Sequence, residues 1–178
     1  AAVAAAQDGE TVVVISDLAD VTVDVAKDIT ISGSVTLNNV GINANGATEL
    51  SVSGLNFTGD SWINVGTATK LTVSGVTANV TPRNATYTNS RSAFISLGRS
   101  EQHNLELTVE NCNIVSNGGS DPILGWAKIA KATITGSTFG SESAYQSNSD
   151  SIKFMSIAEG AEILIVCNKF YSNYNGIV

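Results

Sequence analysis

LSVSGLNF at residues 50–57 is followed by LTVSGVTA at 71–78, LTVENCNI at 107–114, ATITGSTF at 132–139 and ILIVCNKF at 163–170. A fainter copy, ITISGSVT, begins at Ile29. The first and third positions are almost always apolar, the period-two pattern of a strand with one face buried. The fifth position reads Gly33, Gly54, Gly75, Asn111, Gly136 and Cys167. Glycine and asparagine reach positive φ at the least cost, so this column predicts a sharp bend repeated in every copy.

Working outward, a second apolar run follows each copy: WINV (62–65), FISL (94–97), ILGW (123–126) and FMSI (154–157). From Val52 the equivalent position recurs at Val73, Val109, Ile134 and Ile165, in steps of 21, 36, 25 and 31 residues. Removing the gap between first and second strand, read to Val65, Leu97, Trp126 and Ile157, leaves 13, 17, 13 and 13, with the four extra residues placed around Ser100 to His103. A constant core with one variable loop predicts a solenoid of parallel coils whose insertions leave at one corner. Each coil then buries its apolar face only by stacking on its neighbours. An antiparallel β-sandwich also alternates, but it predicts neither the aligned Gly/Asn column nor the constant remainder.

Composition agrees. The chain has 178 residues, 43% hydrophobic and only 14% charged, with two prolines. That is one domain by length, its polarity carried by Ser, Thr, Asn and Gly. A net charge of -7 argues against nucleic acid as partner. It tolerates a neutral glycan, and an acidic one only where local basic residues or calcium intervene. No apolar run is long enough to cross a membrane. The abrupt start at Ala1 and end at Val178 read as a fragment of a longer chain, with 1–28 as cap and first strands and 29–178 as about six coils.

The opening, Ala-rich 1–6 followed by Gln7-Asp8-Gly9-Glu10 and a Val-rich strand, then Ile29-Thr30-Ile31-Ser32-Gly33, resembles the pectate-lyase-like right-handed β-helix superfamily. The resemblance implies an all-β, single-stranded right-handed parallel β-helix with a short N-terminal α-helical cap. It also points to secreted or surface proteins of bacteria. Enzymes of that superfamily either use aspartate-held calcium with an Arg or Lys base, or use carboxylates as acid and base. Asn148-Ser149-Asp150-Ser151-Ile152 is similar to the Asn-Thr-Asp segment of the hydrolases, which makes Asp150 the one catalytic candidate. The Asp-Asp and Gly-His-Gly motifs are absent, and Ser151-Ile152-Lys153 replaces Arg-Ile-Lys.

Asp60, Asp121 and Asp150 each stand five residues before an apolar strand position, a broken carboxylate ladder interrupted by Arg91-Ser92. Such a ladder could hold calcium, which takes six to eight oxygens; an aspartate bonding its own turn is the simpler role. No metal site or cofactor is otherwise implied. His103 is expected in a solvated loop. Cys112 takes the buried column of Leu55 and Val76, and Cys167 lies two coils away, beyond disulfide reach. The sequons at Asn56, Asn79 and Asn84 are expected by chance in so Asn- and Thr-rich a chain, and Trp62 and Trp126 are expected to pack.

The variable loops hold the binding candidates: Arg83, Tyr87 and Arg91, then Asp121, then Glu142, Tyr145 and Asp150. Residues 79–92, 115–121 and 140–150 are expected to protrude together as a lip, since loops on a rigid scaffold carry function. The expected role is a non-catalytic extracellular module for adhesion or glycan binding. Alternatives are a polysaccharide-cleaving enzyme or a structural stalk. The C-terminal coil, with Ile165, Phe170 and Ile177, is expected to be open and to pair end-to-end with a second copy, whereas the Ala-rich start partly covers the other end.

Overall fold

The computed structural model describes residues 2–83, 86–87, 91–98, 104–143, 146–171 and 173–178. They form an all-β parallel solenoid. One sheet has seven parallel strands: Thr11–Val14, Ile29–Gly33, Glu49–Ser53, Lys70–Ser74, Asn104–Glu110, Lys128–Thr135 and Ile157–Val166. A second, 13-stranded sheet contains two files of short strands. One file runs Asn56–Gly59, Thr77–Val80, Asn113–Ser116, Thr138–Phe139 and Lys169–Phe170. The other runs Trp62–Asn64, Arg91–Ser96, Asp121–Gly125, Gln146–Phe154 and Asn173–Ile177. Thr36–Asn43 joins the files by pairing with the first strand of each, and Leu18–Asp24 pairs on its other edge. Thr86–Tyr87, antiparallel to Arg91–Ser96, is the one departure from parallel pairing among the described residues.

Registers follow the repeat. Ile31, Val52, Val73, Val109, Ile134 and Ile165 stack in one column of the first sheet. Ile63, Ile95, Ile123, Ile152 and Ile177 stack in another, across the interior. Within these columns, residues from Val52 to Ile134 and from Ile63 to Ile152 are fully buried. Burying each such side chain contributes about 1.5–3 kcal/mol.

The bend column is real: φ is 69° at Gly54, 60° at Gly75, 54° at Asn111, 61° at Gly136 and 57° at Cys167. Gly33 is the exception and corrects the expectation. Val35, not Ser34, accepts the amide of Asn56, so the first bend has one more residue and turns without positive φ. Glycine is needed there for closeness instead, because a Cβ would lie 2.6 Å from the Val14 carbonyl oxygen.

The second-strand alignment needs a larger correction. Val65 and Leu97 are equivalent, but the next equivalents are Gly125 and Phe154, not Trp126 and Ile157. Ile157 already belongs to the first sheet, opposite Ile129. From there five positions lead to Glu162 against two from Ile129 to its partner Lys131, a bulge containing Gly160 at φ 72°. Length therefore varies at more than one corner, and the constant 13-residue remainder does not hold.

The Ala-rich start forms a single helical turn, Ala2–Ala5, with Ala6 buried and Val3 against the core. It covers less than expected. Val13 is 60% and Ile15 87% exposed, and a cleft of about 400 Å³ lined by Val3, Val14, Val21, Val23 and Leu37 opens beside it. At the other end Ile163, Leu164, Val166, Phe170 and Ile177 are exposed. Among the described residues no helix is long and apolar enough to cross a membrane.

Candidate functional site

The corner between the two files of short strands is where the candidate residues meet the scaffold. In the first coils this corner is one left-handed residue, Asp20 (φ 55°) and then Asn39 (φ 54°), each followed by the next strand without a loop. These short polar side chains tolerate the conformation and use it to bond the neighbouring coil. Asp20 Oδ1 accepts from Asn39 Nδ2 at 2.7 Å, Asn39 Oδ1 accepts from the Asp60 amide at 2.8 Å, and Asp60 Oδ1 accepts from the Arg83 amide at 2.6 Å. Asp60 thus opens the turn of the following coil. Its register partner in the ladder is not Asp121: Ser61, Ala93, Asp121, Asp150 and Asn175 share the column, one position along.

From the third coil on, loops leave near this corner: Thr81 and Asn117 are in register, with their amides bonded to Gly59 and Val80, and Gly140, bonded to Ile114, stands two positions earlier over Val115. Arg83 sits exposed at the first of these exits. Tyr87 and Arg91 pair across a short antiparallel ladder. Glu142, at the last exit, accepts a hydrogen bond from the Tyr171 hydroxyl; this bond, and the carboxylate's charge, hold the phenol above its ordinary value. Tyr145 and His103 lie outside the described residues.

Asp121 and Asp150 differ from the sequence expectation in kind. Both are strand residues, buried at 0% and 1% exposure, and belong to no lip. Asp121 Oδ1 accepts the Asp150 amide at 2.6 Å. Asp150 Oδ2 accepts from Lys153 Nζ at 3.0 Å, and its Oδ1 accepts from Asn175 Nδ2 at 2.7 Å. The seven candidates therefore do not form one cluster. Two are tied together inside the wall, and Arg83 and Glu142 stand at separate exits. No group of three or more His, Cys, Asp or Glu placed to hold a metal is found among the described residues. Cys112 is buried, which pushes its thiol up, while Cys167 is exposed, and both are free.

The outward face of the first sheet carries a feature the sequence reading missed. Thr11, Thr30, Ser51, Thr72, Thr108 and Thr133 stand in register, one hydroxyl per coil. Strand spacing of about 4.7–4.9 Å sets their separation. Beside them Glu49, Lys70, Glu106, Lys131 and Glu162 alternate in sign, with Lys70 Nζ 2.9 Å from Glu49. Both files were present in the repeat, at its second position and at the residue before it, but attention to apolar positions hides them.

Comparison of the chain with protein-family models, curated proteins and solved structures finds no significant match.

Proposed function

We propose that this chain is a non-catalytic module of a secreted or cell-surface protein, a right-handed parallel β-helix with a short N-terminal cap that binds an extended neutral glycan or serves adhesion through it. The parallel crossovers favour the right hand, because twisted strands return to the same sheet that way. The observation that carries the functional reading is the hydroxyl file. Six Thr and Ser side chains, Thr11 exposed and the other five half-buried, line one face of the sheet, repeating once per coil over about 24 Å. A polymer with its own repeat can meet such a surface at several points at once. The net charge of -7 favours a neutral polymer over a polyanionic one.

The rival reading, a polysaccharide-cleaving enzyme, needs accessible carboxylates. Asp121 and Asp150 are buried and hydrogen-bonded within the wall, which speaks against it. Depletion of the chain from solution by insoluble cellulose, chitin or xylan is the expected result. The double variant Thr72→Lys with Thr108→Lys should weaken it at least tenfold, since it leaves the core untouched. Equal binding by that variant, or no depletion and no signal on a glycan array, would sink the reading. Turnover of polygalacturonate that disappears in Asp150→Ala would install the enzyme in its place.

Self-association belongs to the same proposal. The exposed Leu164, Val166 and Phe170 lie at an unpaired strand edge, and such an edge is a template for another chain. A twofold contact places the same patch on both partners. Sedimentation of the 178-residue chain should show a concentration-dependent dimer that Leu164→Lys reduces to monomer. A monomer at every concentration would dismiss the contact.

A further inference from the structure

We propose that Lys153 and Asn175 are joined by an intramolecular isopeptide bond, formed with the Asp150 carboxylate as proton carrier. The two residues lie on neighbouring parallel strands, Gln146–Phe154 and Asn173–Ile177, with Asp150 directly opposite Asn175. One carboxylate holds both reactants: Oδ2 is 3.0 Å from Lys153 Nζ, and Oδ1 is 2.7 Å from Asn175 Nδ2. The carboxylate is itself fixed. Its side chain is 2% exposed and its amide is bonded to Asp121 Oδ1 at 2.6 Å. Lys153 is 21% exposed and Asn175 is an exposed residue of the neighbouring strand, so it is the shared buried carboxylate that brings amine and amide together. Positioning of this kind replaces a bimolecular encounter by a rotamer change of one long side chain.

The step balances without oxidant or co-reactant. Asp150 Oδ2 takes a proton from Nζ, and the free amine attacks Asn175 Cγ to give a tetrahedral intermediate. The carboxyl passes protons from Nζ to Nδ2, the Cγ–Nδ2 bond breaks, and ammonium leaves. Nζ keeps one hydrogen as an amide N–H, and Asp150 is again a carboxylate. The product ties the strand Asn173–Ile177 to the coil beneath it, closing a covalent loop from Lys153 to Asn175 and so constraining the unfolded chain as a disulfide does.

Mass spectrometry tests it, with one competitor built in. Asn45, Asn117 and Asn175 each precede a glycine, and a succinimide at any of these pairs would lose the same ammonia. The folded 178-residue chain should weigh one ammonia less than its sequence. Trypsin should fail to cut after Lys153, and a branched peptide carrying both residues should be recovered. Hydroxylamine, which opens a succinimide, should leave the mass unchanged. Lys153→Arg, which keeps the positive charge and leaves far-UV circular dichroism as a check on folding, should restore the full mass. The proposal is overturned by full mass in the folded wild type. It is equally overturned by an ammonia loss that persists in Lys153→Arg, or that hydroxylamine cleaves while trypsin still cuts at Lys153.

Discussion

Phe57→Ala is expected to cost the chain about 3–5 kcal/mol, read as a lower urea midpoint at unchanged slope. Phe57 is fully buried in a central coil, stacked between Leu37 and Ala78 of the coils on either side. The small Ala78 leaves space within the interior, and the Phe94 ring meets that of Phe57 edge-on at 5.2 Å and 65°. Truncation would therefore open a cavity bordered by two coils that cannot close independently. Phe94→Ala should cost a similar amount. The double variant should lose less than the sum by about 0.5–1.5 kcal/mol, because the rings interact directly. A loss below about 1 kcal/mol for Phe57→Ala would show that the coils repack around the gap, contrary to the dense stacking.

The architecture was legible because stacking places like over like. Val52, Val73, Val109, Ile134 and Ile165 were aligned from spacing alone and do stand in one column. Five of the six bend positions were equally plain, since only positive φ explains a column of Gly, Asn and Cys. The second strands were misaligned for a physical reason. Trp126 looked like the apolar equivalent of Leu97, yet the position over Leu97 is Gly125, where a Cβ would come within 2.6 Å of Leu97. Near the end, the runs FMSI and ILIV read as strands of different faces, but both Ile157 and Ile163 lie in the strand Ile157–Val166. A bulge around Gly160 absorbs the extra residues without a strong turn signal.

Site residues were harder to read because parity decides what a polar strand residue does, and parity depends on register. Asp60 and Asp121 share a spacing to the next apolar residue but differ by one position in register. Asp60 caps the Arg83 amide at the corner, whereas Asp121 turns into the wall. Lys153 and Asn175 carried no motif. Their meeting on Asp150 is visible only once Asp150 and Asn175 are paired across strands. The hydroxyl file, in contrast, was present in five of the six copies of the repeat, at a second position that reads Leu164 in the last, and Thr11 joins it only through strand pairing.

Asp121 separates structural from functional carboxylates most cleanly. Asp121→Ala is expected to lose about 2–3 kcal/mol, because it deletes a charged acceptor and leaves the buried Asp150 amide without it. Asp121→Asn retains an acceptor oxygen of the same shape and removes one of two neighbouring buried acidic groups. It should stay within about 1 kcal/mol of wild type, since the lost charge assistance is offset by relief of like-charge repulsion. Polymer binding by both variants, measured at a temperature where each is folded, should match wild type, because neither touches the hydroxyl file. The contrast between alanine and asparagine is the informative quantity. Equal stability of Asp121→Ala and wild type would mean that the 2.6 Å bond to Asp150 contributes nothing to the wall. Binding lost in a stable Asp121→Asn would move the functional surface from the first sheet to this corner.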